Sequence, residues 1–329
     1  MTVLNAGKLK LLAAIRRLDL LLFPFTIAAA ILLFLIRRAG IERMPISKAI
    51  FNRVGVFPIT DHYYEPSFNT HKLKLPLSRD RHLPGIDMNA LGQLKLINRF
   101  NFGEELRQFP RVKQQNDSLQ YSYDNGSFGS GDAEFLYSMI RVFKPKRFLE
   151  VGSGNSTLLA RSAINMNKAE DPAYTCAHTC IEPYEAPWLE RLGVEVIRRP
   201  VEQIDKQVFA QLEENDILFI DSSHIIRPQG DVLFLHLEVI PSLRPGVLIH
   251  VHDIFTPRDY LEEWILDQVK LWNEQYLLEA LLSDNPRIEI VGALNFLKHH
   301  YPAEISRVCP ILKEEIQARE PGSIWLLRK

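Results

Sequence analysis

A short apolar run, Arg147–Val151 (RFLEV), passes directly into Gly152-Ser153-Gly154-Asn155-Ser156-Thr157 and then into a helical pattern, LLARSAINM. A strand, a glycine turn and a helix in that order let backbone come close to a nucleotide, because glycine tolerates approaches that a Cβ forbids. The third glycine of the dinucleotide fingerprint is missing, and Thr157 stands where Gly or Ala would accommodate a pyrophosphate. A cofactor without phosphates is therefore expected, and a nicotinamide dehydrogenase ranks last. Joined to the strands that follow, the motif predicts a doubly wound α/β fold.

About 28 residues beyond Gly154, the strand HTCIEPYE sets Glu182 at its carboxyl end, where an acid can accept two hydrogen bonds from a ribose diol. A third strand, VEVIRR (194–199), leads to Val201 and Glu202, where an adenine ring would lie. Upstream, YSYDNGSFGSGDAEFLYSMIRVF supplies a glycine-rich loop and a helix, with Ser130 or Asp132 as its cap. Asn125, Gly126 and Phe128 either close over the cofactor or simply start that helix.

The fourth strand, DILFI (216–220), delivers Asp221-Ser222-Ser223-His224 to the edge that carries the glycine turn. The fifth, within GVLIHVHDIF, delivers His250, His252 and Asp253 there. Alternation puts His250 and His252 on one face and Asp253 beyond the strand. Two acids and up to three imidazoles thus converge where an acceptor would meet the cofactor. The stretch PQGDVLFLHLEVIPSL reads as a core helix. Asp259–Leu282 reads as one amphipathic helix whose Trp264, Trp272 and Tyr276 pack on the sheet, with Asn273, Glu274 and Gln275 as pocket-lining candidates.

From Leu20 to Ile36 the chain carries no charge, and Lys8, Lys10, Arg16 and Arg17 precede that run while Arg37, Arg38 and Arg43 follow it. Seventeen residues sit at the lower limit for crossing a hydrocarbon core about 30 Å thick, and Pro24 would kink the first turns. Residues 1–44 are read as a membrane-anchoring segment, spanning or interfacial. The catalytic domain would then be in the cytoplasm. Residues 45–120 are read as a connecting region packed on a catalytic domain at 121–329. Within that region His62, Tyr63 and Tyr64 are candidates to reach a pocket, and ALGQLKLINRF (90–100) is a docking helix. Lys plus Arg number 39 against 40 Asp plus Glu, so no global field steers the chain to nucleic acid. Three cysteines, Cys176, Cys180 and Cys309, suit a reducing compartment better than a disulfide framework.

Taken in order, EVGSGNST, CIEPYE, DILFIDSSH, HVHDIF, WNEQYLLEALL and the closing SIWLLRK resemble the class I S-adenosylmethionine-dependent methyltransferases, in particular methyltransferase family 24, over about Tyr121 to Lys329. The resemblance implies a seven-stranded sheet in order 3-2-1-4-5-7-6 with Ser323–Arg328 as the antiparallel last strand. S-adenosylmethionine would be held by Glu150, Gly152, Ser153, Gly154, Asn155, Ser156, Glu182 and Asp221. Methyl transfer to a hydroxyl needs the acceptor deprotonated near the sulfonium, so a base or a metal is required. In one arrangement Asp221 and Asp253 coordinate Mg²⁺ with His252 nearby, as in metal-dependent sugar and catechol methyltransferases. The usual acid before the second Asp is here His252, which would admit softer ions such as Mn²⁺. In the other, His224 or His252 is a metal-free base with Asp221 or Asp253 setting its tautomer. The acceptor is expected to be a sugar, glycan or other membrane-associated small molecule. A metal-dependent hydroxylase on the same fold and a non-catalytic scaffold are the rivals.

Overall fold

The computed structural model describes residues 2–60, 66, 69–113, 119–184 and 186–329. His62, Tyr63 and Tyr64 lie outside the described residues. The chain forms two compact units, Met1–Lys74 and Leu75–Lys329.

In the first unit, α1 (Thr2–Ala39) is one continuous helix that includes Pro24, and α2 (Pro45–Val54) follows after a single 3-10 turn. The apolar stretch of α1 lies within Leu11–Ala39, 29 residues whose most apolar 18-residue stretch has a mean hydropathy of 2.5 and is not buried. That is longer than the charge-free run, because a helix tolerates isolated charges near its ends. Proline removes one main-chain donor and leaves the helix otherwise intact, and two residues later the Thr26 hydroxyl donates to the Leu22 carbonyl at 3.1 Å.

The second unit begins well before Tyr121, the boundary expected from sequence. Its first long helix, α3 (Ala90–Ile97), buries Gln93, whose Oε1 accepts the Ala293 amide at 2.7 Å. Just before it, Asn89 donates through Nδ2 to Glu289 and to the Ile290 carbonyl. The docking helix is thus stitched onto an outer strand by polar side chains that satisfy main-chain groups. Next come α4 (Asp132–Phe143), α5 (Asn155–Glu170) and α6 (Glu274–Leu282).

Seven strands, β1 (Arg147–Val151), β2 (Ala177–Ile181), β3 (Glu195–Ile197), β4 (Ile217–Ile220), β5 (Leu248–Val251), β6 (Ile288–Ala293) and β7 (Ile324–Arg328), make one sheet in the order 3-2-1-4-5-7-6. The first five are parallel and β7 runs antiparallel to both neighbours. β4 and β5 are buried along their whole length, as expected of strands covered on both faces. Alternation divides the core: Phe148, Phe219 and Trp325 pack on one face, Leu149, Leu218 and Ile249 on the other. Each such side chain contributes about 1.5–3 kcal/mol of burial.

Two expected elements differ. The helix anticipated over Asp259–Leu282 is broken into a π turn at Glu263–Asp267, an irregular stretch, and α6. Apolar periodicity suits an unbroken helix, but Val269 takes φ +54°, and the Asn273 and Glu274 amides donate instead to the His224 carbonyl at 3.0 and 3.2 Å. Tertiary hydrogen bonds override the local pattern. The cap of α4 is Gly131, at φ +84°, rather than Ser130 or Asp132. A Cβ there would meet Pro321 at 2.8 Å, and the Glu134 carboxylate reaches back to the Gly131 amide at 3.0 Å.

Candidate active site

The carboxyl ends of β1, β2 and β4 bound a cleft of about 350 Å³ lined by Gly152, Glu182, Val201, Glu202, Asp221 and Ser222, among others. Gly152 is at φ +77°, and a Cβ on it would lie 1.8 Å from the Asp221 carbonyl oxygen, so only glycine lets β1 turn away beneath β4. Gly154 faces open space, with nothing within 4 Å of a Cβ. Glu182 accepts the Ser153 amide at 3.2 Å and the Tyr184 amide at 2.9 Å. The Ser222 hydroxyl is buried in the cleft wall without a hydrogen-bond partner among the described residues, which suits a polar ligand.

Other residues expected to contact the cofactor are placed differently. Glu150 is fully buried under the turn and accepts hydroxyls from Ser156 and Thr157, both at 2.7 Å. Thr157 also accepts the Gly154 amide at 3.0 Å. The residue that replaces the third glycine therefore clamps the turn, and the Glu150 and Ser156 side chains act as its underpinning. The carboxylate also meets His178 and Cys180, at 3.2 and 3.5 Å, in a trio buried within the sheet. Asn155 donates to Ser127 at 3.0 Å, tying the turn to the loop before α4.

On the other side of Asp221 the acids and imidazoles converge as expected. His224 Nε2 lies 3.3 Å from Asp221 and 3.5 Å from Asp253, and His252 Nδ1 lies 3.6 and 3.4 Å from the same two residues. His224 and Asp253 both sit in the left-handed region, at φ +60° and +59°, a conformation that costs about 1 kcal/mol or more for such residues. His224 is gripped from behind by the segment that breaks the expected helix. Its Nδ1 is 2.8 Å from Glu274 Oε2, its ring packs on Trp272 at 4.3 Å between centroids, and its carbonyl takes the two amides named above. Glu274 therefore fixes the ring and favours its charged form, where the sequence suggested Asp221 or Asp253 as the partner that fixes its tautomer. The sequence signal was three consecutive polar residues inside an apolar stripe. Gln275, the next of them, accepts the Phe255 amide at 2.7 Å and so holds the loop after Asp253. Asp132 accepts the Gly322 and Ser323 amides and faces His252 at 3.9 Å. His250 stands apart: it is fully buried, stacks on Phe219 at 4.0 Å and bonds Ser323 at 2.8 Å.

Burial alone would strip the proton from His224, but Asp221 and Glu274 outweigh it and hold its pKa at about 10. Burial likewise opposes charge on His252, and Asp253 and Asp221 overcome it, raising the imidazole well above its ordinary value. Burial would raise Asp221, yet the His252 and His224 charges hold it below the carboxylate range. Asp253 goes the other way, burial winning over those same imidazoles. Burial keeps His250 neutral. The two imidazoles thus carry positive charge beside the Asp221 carboxylate.

His252 and Asp253 form the floor of a second cavity, of about 610 Å³, whose walls include Arg258, Tyr260, Trp264, Asn295 and Arg319. Gly126 and Ser127 also line it, whereas Phe128 is buried against the His252 ring at 5.2 Å. The cluster stands between the two cavities.

Residues 149–254 match a family described as a methyltransferase domain, and that span holds both glycines, Glu182, Asp221, His224, His252 and Asp253. An uncharacterized protein of Archaeoglobus fulgidus is 30% identical over 182 residues, covering 52% of this chain and 80% of that one. Among solved structures, the O-methyltransferase from Bacillus cereus in complex with SAH aligns over 72% of this chain and 91% of its own, at 13% identity and a TM-score of 0.36. With the family match, the long relative and the strand order in hand, the chain belongs to the class I S-adenosylmethionine-dependent methyltransferases.

Proposed function

We propose that the chain methylates a hydroxyl of a sugar, a glycan or another membrane-associated small molecule. The observation that carries this reading is the His224 imidazole, pinned through Nδ1 by Glu274 at 2.8 Å and presenting Nε2 to Asp221, which lines the smaller cleft, and to Asp253, which lines the larger cavity. S-adenosylmethionine supplies a methyl group on a cationic sulfur. Gly152, Glu182 and Asp221 would hold it in the smaller cleft, beside the open face of Gly154. The acceptor would occupy the larger cavity, where Tyr260 and Trp264 offer flat apolar faces and Asn295 and the carboxylates offer hydrogen bonds. As the acceptor oxygen bonds to the methyl carbon and the carbon–sulfur bond breaks, the hydroxyl proton passes to His224 Nε2 or His252 Nδ1 in molecules where that imidazole is neutral, a fraction that grows as pH rises toward 10.

The donor set also fits a divalent ion such as Mg²⁺ or Mn²⁺. Asp221, His252 and Asp253 offer ligand atoms that all lie within 4.8 Å of one another. Their separations of 3.4 and 3.6 Å exceed hydrogen-bond lengths and are wider than the roughly 3.0 Å edge of an octahedral shell with bonds of about 2.1 Å, so the side chains would draw in by a few tenths of an ångström around an ion. Bound there, the ion would supply Lewis acidity to the acceptor hydroxyl, and the imidazole favours Mn²⁺ over Mg²⁺.

In this reading residues 1–44 anchor the protein in a membrane and the catalytic unit works on its cytoplasmic side. Calorimetric titration of the detergent-solubilised chain with S-adenosylmethionine, S-adenosylhomocysteine and NAD, with and without EDTA, tests it. Micromolar binding confined to the two sulfur compounds is expected, and absence of any binding would overturn the catalytic reading in favour of a scaffold.

A further inference from the structure

The first unit carries a surface that α1 does not account for. In α2, Ile46, Ile50 and Val54 recur every fourth residue and so share one face, and they are 77%, 54% and 68% exposed. No residue of α2 is buried. Val56, Phe57 and Ile59 extend the exposed apolar surface past Gly55. Around this surface the charge is one-sided. Residues 37–60 hold five basic residues, Arg37, Arg38, Arg43, Lys48 and Arg53, and one acid, Glu42, in a chain whose overall net charge is −1. Lys48 and Asn52 fall on the face of α2 opposite the stripe, and Arg53 borders it, where a long side chain can lay its stem along apolar surface and lift its charge to water. A groove in the same unit, lined by Leu33, Phe34 and Ile41 beside Arg37 and Arg38, has the same character, apolar below and cationic above.

We propose that residues 37–60 make a second membrane contact, in which α2 lies along the headgroup layer of a bilayer containing anionic phospholipid, its apolar stripe facing the acyl boundary. This rests on the reading of α1 as a membrane anchor. Five residues lie between Ala39 and Pro45, a reach of no more than about 20 Å, so α2 starts at the bilayer surface once α1 is inserted. An exposed apolar stripe with basic neighbours is the pattern of a helix lying in an interface. Charge decides the occupant. Two copies of so basic a face would repel, whereas anionic headgroups attract each basic residue by about fivefold in partitioning.

Nitroxide labels at Ala28→Cys, Ile50→Cys and Asn52→Cys, each introduced into the full chain with Cys176→Ala, would be read by oxygen and nickel-chelate accessibility in phosphatidylcholine nanodiscs with and without phosphatidylglycerol. The expected result is a deep label at 28, a label at 50 in the acyl boundary and an aqueous label at 52. Replacing Arg43, Lys48 and Arg53 by Gln should cut the fraction of α2 inserted at 50 by at least tenfold in anionic discs, without moving the label at 28. Equal aqueous exposure at 50 and 52 with a deep label at 28 would overturn the proposal and leave the anchor standing. An aqueous label at 28 would overturn the anchor itself. Dipolar broadening between labels at 50 would assign the stripe to a second copy and also defeat the proposal.

Discussion

The two halves of the catalytic edge are built in opposite ways. The nucleotide side is local: from Glu150 to Thr157, eight residues contain the turn, its hydroxyl clamp and its helix cap, and Glu182 closes it through the Ser153 amide at 3.2 Å. The side proposed for the acceptor is assembled from distant segments, with His224 held by Glu274 fifty residues away and His252 facing Asp132 from the start of α4. A cofactor shared by many enzymes can be met by a compact motif, whereas an acceptor specific to this chain needs a cavity shaped by several elements.

The largest expected effect separates the two kinds of glycine. Gly152→Ala would drive a Cβ into the Asp221 carbonyl at 1.8 Å and should cost more than about 4 kcal/mol, seen as loss of cooperative unfolding of the purified protein. Gly154→Leu has room, so the melting temperature should hold while S-adenosylhomocysteine affinity drops by about a hundredfold or more in calorimetry, roughly 3 kcal/mol. Unchanged affinity would show that the cofactor does not approach this turn. Asp253→Ala should leave cofactor affinity within a few fold and remove retention of a divalent ion in elemental analysis. If cofactor and ion binding fell together, the division between the halves would be wrong.

Glu274→Ala leaves the buried Nδ1 of His224 unpaired, a cost of about 1–3 kcal/mol, while Glu274→Gln keeps an acceptor there. The Ala variant should shift the ¹⁵N resonances of His224 from the imidazolium toward the neutral ring, because Glu274 helps to raise its pKa, and the Gln variant, which keeps the hydrogen bond without the charge, should bring them only part of the way back. A smaller effect concerns Glu134, which shapes the start of α4. Burial outweighs its bonds to the Ile311, Gly131 and Leu312 amides and lifts its pKa to about 7. The folded state therefore favours the protonated acid, so its stabilisation is complete below pH 4.5 and is lost as pH rises through 7. On the order of 1 kcal/mol should disappear between pH 5 and 8 in denaturant titrations, and Glu134→Gln should flatten that slope.

Read alone, the residues locate the first five strands, the glycine turn, the acid at the end of β2 and the convergence of Asp221, His224, His252 and Asp253, because each follows from short-range periodicity and from the rule that parallel strands deliver their carboxyl ends to one edge, whereas β7 came from the family resemblance and β6 was not located. The break before α6 was hidden, since Trp264, Trp272 and Tyr276 keep helical spacing while the amides of Asn273 and Glu274 leave for the His224 carbonyl. The inward turn of Glu150 was hidden too, since nothing at a strand end states whether a carboxylate meets a ligand or the hydroxyls beneath it. The start of the second compact unit at Leu75 was equally out of reach, because α3 attaches through Gln93 to Ala293, two hundred residues on. Only the tertiary structure decided these points, for a buried polar group takes whichever partner the packed chain brings within hydrogen-bond reach, and that partner is set by the fold and not by neighbours in sequence.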